Sequence, residues 1–406
     1  MDLVQFAVKQ ERLPPTSAAR LYAYASVALY EGCVTGDAAF RSLAGQLNGL
    51  GPLPAPSPAP SPATPYDPAT VANRACAVVV RGLAPALYLP FVTTASLTNQ
   101  AIDGTERGWN ARRQQAVPVD VWTRSVDHGT ALGAALLAWA DADGFAAANA
   151  AQGTYVPPIG PGFWIPTPPS LLRALQPAWG TLRTFVLVDS DECAPPAPTP
   201  FSSDPSSAFF AENLEVYAAV NSLTPEQREI AFFWSDDPGT TSTPPGHWVN
   251  IVSQLATRDD LPLAVAAEAY ARVGLAVGDA FIACWRTKYL HNYIRPVSYI
   301  QEHIDRTWQP LLGTPPFPEF TSGHSTQSGA AATVLTDLFG AVAFADWTHA
   351  SRGLEVRFFE SFHQAAGEAA ISRLYGGIHY RPAVELGSEQ GRCIGALLVS
   401  RVTFRN

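Results

Sequence analysis

The sequence predicts an all-α protein, two helical bundles of the four-helix type in one compact unit. Apolar residues recur at spacings of three and four through most of the chain, the period of one buried helix face. Alternation of period two in Val, Ile and Thr, the mark of a half-buried strand, is largely absent. Segments rich in Pro and Gly punctuate the apolar runs, as connections between packed helices do. With 406 residues and 47 % apolar composition, the chain is long enough to bury a sizeable core.

Taken in order, residues 17–49 read as one or two helices ended by glycines. Residues 51–68, with their Pro-Ala-Pro-Ser-Pro runs, cannot continue a helix and read as an extended surface spacer. Residues 69–151 return to an Ala-rich helical pattern, with Asp103-Gly104 and Gly153 as the expected breaks. Two irregular segments follow, at 155–169 and 194–205, whose embedded aromatics suit either a substrate mouth or packing loops. The second of them separates an N-terminal half, 1–205, from a C-terminal half, 206–406, that carries the chemistry. Thr224-Pro225-Glu226-Gln227 is a helix start, with an N-cap, a proline at the first position and an acid in the first turn. That helix ends in the turn-forming run 236–246, and further helices are expected over 261–290, 325–340, 352–375 and 382–402.

Composition bounds the function. Only 15 % of residues are charged and the net charge is −9, so the chain lacks the basic field that nucleic acid or an anionic membrane demands. No apolar run reaches the length of about 18 residues that a membrane span needs, and the start, Met-Asp-Leu-Val-Gln-Phe, has no signal-peptide core. The chain is expected to be soluble. Five cysteines, Cys33, Cys76, Cys193, Cys284 and Cys393, are widely spaced without a CxxC pair, which argues against a zinc knuckle or a redox dithiol. Met1 is the only methionine, a scarcity that compositional bias explains better than protection from a strong oxidant.

Three segments of the second half concentrate the chemistry. In Phe317-Pro-Glu-Phe-Thr-Ser-Gly-His-Ser325 a loop runs into a helix, which places Ser322, Gly323 and His324 at a helix start. Free N–H groups and the positive end of the dipole make such a start an anion site. His324 there has a side chain suited to proton transfer near neutral pH. Upstream, Lys288 and Arg295 are seven residues apart, two helical turns and about 10 Å of rise, with Pro296 ending the helix. Lys supplies a point charge and Arg a planar fork. Downstream, Arg373 precedes a break at Gly376-Gly377, and His379 lies in the turn before Pro382. Singly these are weak signals, since a Lys and an Arg on a helix are commonly a solvated face and a His in a turn is commonly structural. Ser322 also lacks the glycine two residues before it that a nucleophile elbow needs. Together, three cations and two histidines can converge on one tetrahedral oxyanion.

The order Lys-x6-Arg-Pro, Ser-Gly-His, Ser-Arg-x5-His resembles the vanadium-dependent haloperoxidases, bacterial chloroperoxidases among them, most strongly over residues 232–387. It is more distantly similar to the type 2 phosphatidic-acid-phosphatase-like acid phosphatases. The resemblance implies that Lys288, Arg295, Ser322, Gly323 and Arg373 hold vanadate oxygens, that His379 is the metal ligand, and that His324 is the acid–base partner. It implies a halide pocket at Trp285 and Phe317, where chloride-oxidising members carry aromatics, and a carboxylate, Asp236 or Asp237, paired with the site arginine. Two positions depart from the patterns. Thr321 stands where the family usually has Pro before Ser-Gly-His, and Ala383 stands where phosphatase relatives place an Asp after the last His. Without a carboxylate to orient His379 as a nucleophile, the phosphatase reading weakens.

The activity implied is oxidation of chloride or bromide by hydrogen peroxide to hypohalous acid, or an enzyme-held equivalent, that halogenates a small organic substrate. His324 would assist proton transfer and Lys288 would polarise the peroxide. The alternatives are an acid phosphatase with His379 as nucleophile, phosphate filling the same cage, or a non-catalytic oxyanion-binding protein. The resemblance further implies a secreted or periplasmic location, and a homodimer is compatible with it. Neither nucleic acid nor membrane is expected as a partner.

Overall fold

Proline and close glycine contacts shape the N-terminal helices: α1 (Asp2–Gln10), α2 (Pro15–Cys33), α3 (Pro68–Leu83), α4 (Ala95–Ala116) and α5 (Val119–Asp141). The structure, a computed structural model, describes residues 1–84 and 95–406, and the part of the expected helical run at 85–94 lies outside the described residues. α4 runs straight through Asp103 and Gly104, which the sequence pattern marks as a break. The chain turns instead at Val117-Pro118, because proline has no N–H to extend the ladder and disfavours helical geometry in the residue before it. Residues 34–49 form turns rather than a second helix. α2 is buried on nearly every side, and α3 crosses it so closely that a Cβ on Gly32 would lie 2.3 Å from Ala72 Cα. Arg20 of α2 is neutralised inside this packing by Asp143 at 2.6 Å.

The chain continues through α6 (Phe145–Ala151), α7 (Ala208–Asn221), α8 (Pro225–Phe233), α9 (Thr243–Arg258) and α10 (Leu263–His291). Then come α11 (Pro296–His303), α12 (Gly323–Phe339), α13 (Phe362–Tyr375) and α14 (Arg381–Arg401). The Thr224 start is a capping box closed by Gln227. The turn after α8 is shorter than expected, since Pro244 and Pro245 sit in the first turn of α9, where a missing N–H breaks no bond. Residues 352–361 do not join α13. Two short strands, β1 (Phe344–Asp346) and β2 (Arg357–Phe359), pair antiparallel there with Phe344 opposite Phe359, a small exception within an all-α fold.

Two compact units interleave along the sequence. Met1–Asp143, Asp237–Gly278 and Leu398–Asn406 form one, and Gly144–Asp236 with Asp279–Leu397 forms the other. A single boundary near residue 205 does not describe this division. The first unit recruits distant segments through close contacts: Gly246 and Gly274 abut Tyr22 and Ser26 of α2, and Tyr30 donates to the Phe404 carbonyl at 2.8 Å.

In the second unit, Phe209, Val216, Tyr293, Val297, Tyr299, Phe320 and Tyr380 share one buried cluster. Asp279 accepts from the N–H groups of Phe185, Val186 and Leu187 at 2.6, 2.8 and 3.2 Å, and burial pushes its carboxyl up to about 6. Cys193 and Cys393 form a disulfide, while Cys33, Cys76 and Cys284 are free thiols. α14 lies backbone to backbone on α12. A Cβ on Gly391 would come within 2.0 Å of the Thr326 carbonyl, and one on Gly387 within 3.0 Å of the Ser322 carbonyl.

Candidate active site

The last turns of α10 end at His291, not at Arg295, so the two upstream cations do not share a helix face. Lys288 projects from α10, whereas Arg295 is the extended N-cap residue of α11, with φ −84° and ψ 150°. Both are fully buried, and both reach the loop before α12. Lys288 Nζ donates to the carbonyls of Pro318 (2.9 Å), Glu319 (2.8 Å) and Thr321. Burial pushes this lysine down to about 7, but three carbonyls around three N–H bonds are the partners an ammonium needs. Arg295 donates through Nε to the Phe317 carbonyl at 2.9 Å and through Nη1 to the Ile378 carbonyl at 2.7 Å. Its Nη2 is buried without a hydrogen-bond partner. A buried guanidinium N–H left unpaired is costly, and an oxyanion is the acceptor that suits it.

Ser322 caps α12, its hydroxyl accepting from Ser325 N at 3.3 Å. Gly323 is the first helical residue, a position whose N–H has no intrahelical acceptor. A Cβ there would meet Trp285 and Phe281 at 3.6 and 3.7 Å, so the glycine faces the aromatic wall. His324 follows, only partly covered. Arg373, buried in the last turn of α13, donates to Ser372 Oγ at 3.1 Å and to the Ala231 carbonyl at 3.3 Å.

His379 is the centre of the arrangement. Its Nδ1 lies 2.8 Å from Glu319 Oε1, which also accepts from Tyr380 N at 2.9 Å. The proton is therefore on Nδ1, leaving Nε2 as an acceptor, and Arg295 Nη1 faces Nε2 at 3.3 Å. Burial, then the charges of Arg295, Lys288, Arg373 and His324, hold the ring well below the usual histidine range. The imidazole is neutral, with one nitrogen presented to a cationic cage. The sequence-predicted set Lys288, Arg295, Arg373, His324 and His379 thus meets in one place.

Glu319 had no assigned role in the sequence reading and corrects it. The absence of a carboxylate at Ala383 does not leave His379 unoriented, because Glu319 arrives from the loop 60 residues upstream. It is fully buried, its Oε2 has no hydrogen-bond partner, and burial pushes its carboxyl up to about 7. A signal was present: Glu319 is the one charged residue in the stretch 307–323, set between Pro318 and Phe320, and such an acid needs a buried partner.

Trp285 and Phe317 pack with ring centroids 4.8 Å apart, and Lys288 Nζ lies 5.8 and 5.1 Å from the two centroids. Asp236 and Asp237 separate clearly. Asp236 is buried 3.1 Å from His349 Nε2, whereas Asp237 is exposed and its carbonyl anchors a turn to Thr240 N at 3.1 Å. Asp237 is thereby removed as a partner of a site arginine.

Comparisons with known proteins bear on the family and the fold that carry this arrangement. Residues 268–405 match the family model described as the VCPO second helical-bundle domain. The chain is 30 % identical over 139 residues to vanadium chloroperoxidase of Curvularia inaequalis, a match spanning 28 % of this chain and 23 % of that protein. It superposes on the crystal structure of the first bacterial vanadium-dependent iodoperoxidase with a TM-score of 0.88 and 36 % identity, covering 100 % of this chain and 95 % of the other. A holo-type bacterial vanadium-dependent chloroperoxidase shares the fold at a TM-score of 0.69 and 14 % identity, over 95 % and 92 % of the two chains.

Proposed function

The chain belongs to the vanadium-dependent haloperoxidases, and from that membership we propose that it oxidises halide with hydrogen peroxide, using vanadate held around His379. The observation that carries the proposal is the neutral His379 ring, fixed by Glu319 at Nδ1, whose Nε2 faces an arginine with an unpaired N–H. Residues of that kind fit an oxyanion of a metal that accepts a nitrogen ligand. Bound vanadate would supply Lewis acidity toward peroxide without itself changing oxidation state. Arg295 Nη2, Arg373 and the Gly323 N–H would hold its oxygens, Lys288 would keep positive charge beside them, and His324, only partly covered, would move protons.

Two supports bear on the halide. The Trp285/Phe317 pair, through its resemblance to chloride-oxidising members of the family, favours chloride, and the 36 % identical iodoperoxidase favours iodide. With orthovanadate, hydrogen peroxide and each halide in turn, we expect halogenation of a phenolic dye only when vanadate is present, and the three rates assign the preference. His379→Ala should lower activity by roughly a hundredfold or more, since outer-sphere partners alone cost 10- to 100-fold. Hydrolysis of p-nitrophenyl phosphate without halogenation of any kind would overturn the proposal.

That outcome defines the second reading. Glu319 on His379 Nδ1 supplies the orienting carboxylate a histidine nucleophile requires, so phosphate esters are the competing substrates of the same cage. The Cys193–Cys393 disulfide supports a secreted or periplasmic location, because such bonds persist in oxidising compartments.

A further inference from the structure

We propose that Gln390 is a positioning residue that ties Lys288 to the anion-binding loop through the hydroxyl of Thr321. Gln390 is buried on α14. Its Oε1 accepts from Thr321 Oγ1 at 2.8 Å, and its Nε2 donates to Thr287 Oγ1 at 3.1 Å. The direction of these bonds is determined. Thr287 spends its own proton on the Ala283 carbonyl at 3.1 Å, so toward Gln390 it can only accept. The amide is oriented by that constraint, and its oxygen faces Thr321. Thr326 Oγ1, 3.4 Å from the same oxygen, gives its proton to the Ser322 carbonyl at 3.0 Å.

A closed ring results. The Lys288 ammonium holds the Thr321 carbonyl, the Thr321 hydroxyl holds Gln390, Gln390 holds Thr287, and Thr287 is bonded to Lys288 through the backbone. Ser322 and Gly323, the next two residues after Thr321, are the anion-binding start of α12. The close approach of α14 at Gly387 and Gly391 is what brings the Gln390 amide within reach. A proline at 321, the residue of the usual family pattern, offers Lys288 the same carbonyl but has no hydroxyl for Gln390. Buried amides left half-bonded are costly, so loss of one bond should displace the loop rather than leave it in place.

The inference rests on the cage being an oxyanion site, and binding of orthovanadate by the wild-type protein, read by calorimetry, measures that separately. Thr321→Val and Gln390→Leu should each weaken this binding roughly tenfold, the lower end of what outer-shell partners contribute, while Thr321→Ser should restore it. The double variant should bind no more weakly than the weaker single, because both changes break one connection. Thermal melts of the same proteins separate positioning from bulk stability. Variants that melt lower yet bind as wild type, or losses that add in the double variant, would overturn the inference alone. A wild-type protein that fails to bind orthovanadate would overturn the cage and the inference with it.

Discussion

Burial and the surrounding cations hold His379 well below the usual histidine range, which favours an unprotonated Nε2, and Lys288 carries a charge that burial makes easy to lose. The two shifts set opposite limits on oxyanion binding. A histidine held well below its ordinary range stays neutral, so its Nε2 remains available at pH 5.5, where an exposed imidazole would be mostly protonated. A lysine pushed down to about 7 gives up its proton as pH rises through that value, and with it an attraction for the anion. Orthovanadate affinity should therefore persist at pH 5.5 and fall above about 7. Titrations at both ends check this, and a loss of binding at pH 5.5 would mean either that His379 protonates normally or that its orientation fails once Glu319, whose carboxyl is pushed up to about 7, takes up a proton. At this scale the sequence was legible for residues whose types and order are themselves the signal: Lys288, Arg295, Ser322, Gly323, His324, Arg373 and His379. Glu319 and Gln390 were not, since their partners His379 and Thr321 lie 60 and 69 residues away. Local sequence marks Glu319 only as an acid in need of a buried partner, without saying which, and it does not mark Gln390 at all.

Among the elements, α12 and α14 matter most to the site, for the start of one lies on the backbone of the other. Gly391 is at the tightest point, with no space between its α-carbon and the Thr326 carbonyl for a methyl group. Gly391→Ala should destabilise the protein by about 3 kcal/mol, the upper part of the range for overpacking, and lower oxyanion affinity because the first turn of α12 moves with it. Chemical denaturation and calorimetry test the two effects, and a variant as stable as wild type would show that the helices can separate without cost. Helix existence was readable from apolar period, as α8, α10, α12 and α14 show. Helix ends were less so. Asp103-Gly104 did not break α4 because one glycine costs only about 1 kcal/mol, and residues 357–359 formed a strand because Phe344 and Phe359 gain burial by pairing.

Across the whole molecule, each unit is assembled from segments far apart in the chain. The Cys193–Cys393 bond lies within the second unit and spans 200 residues of sequence. Closing so long a loop restricts the unfolded chain considerably, and Cys193→Ser should lower stability by about 2–4 kcal/mol. Equilibrium unfolding with and without reductant measures it, and an unchanged midpoint would show that the bond adds nothing to the folded state.

The all-α class, the positions of most helices in the second half and the list of cationic and histidine side chains were determined by sequence alone, because period and residue type are local properties. Tertiary structure decided which units those helices join, that Arg295 approaches from a separate helix start, and that His379 has its carboxylate after all. Those outcomes depend on close glycine contacts and buried hydrogen bonds between residues distant in the chain, and such pairings exist only once the backbone has folded.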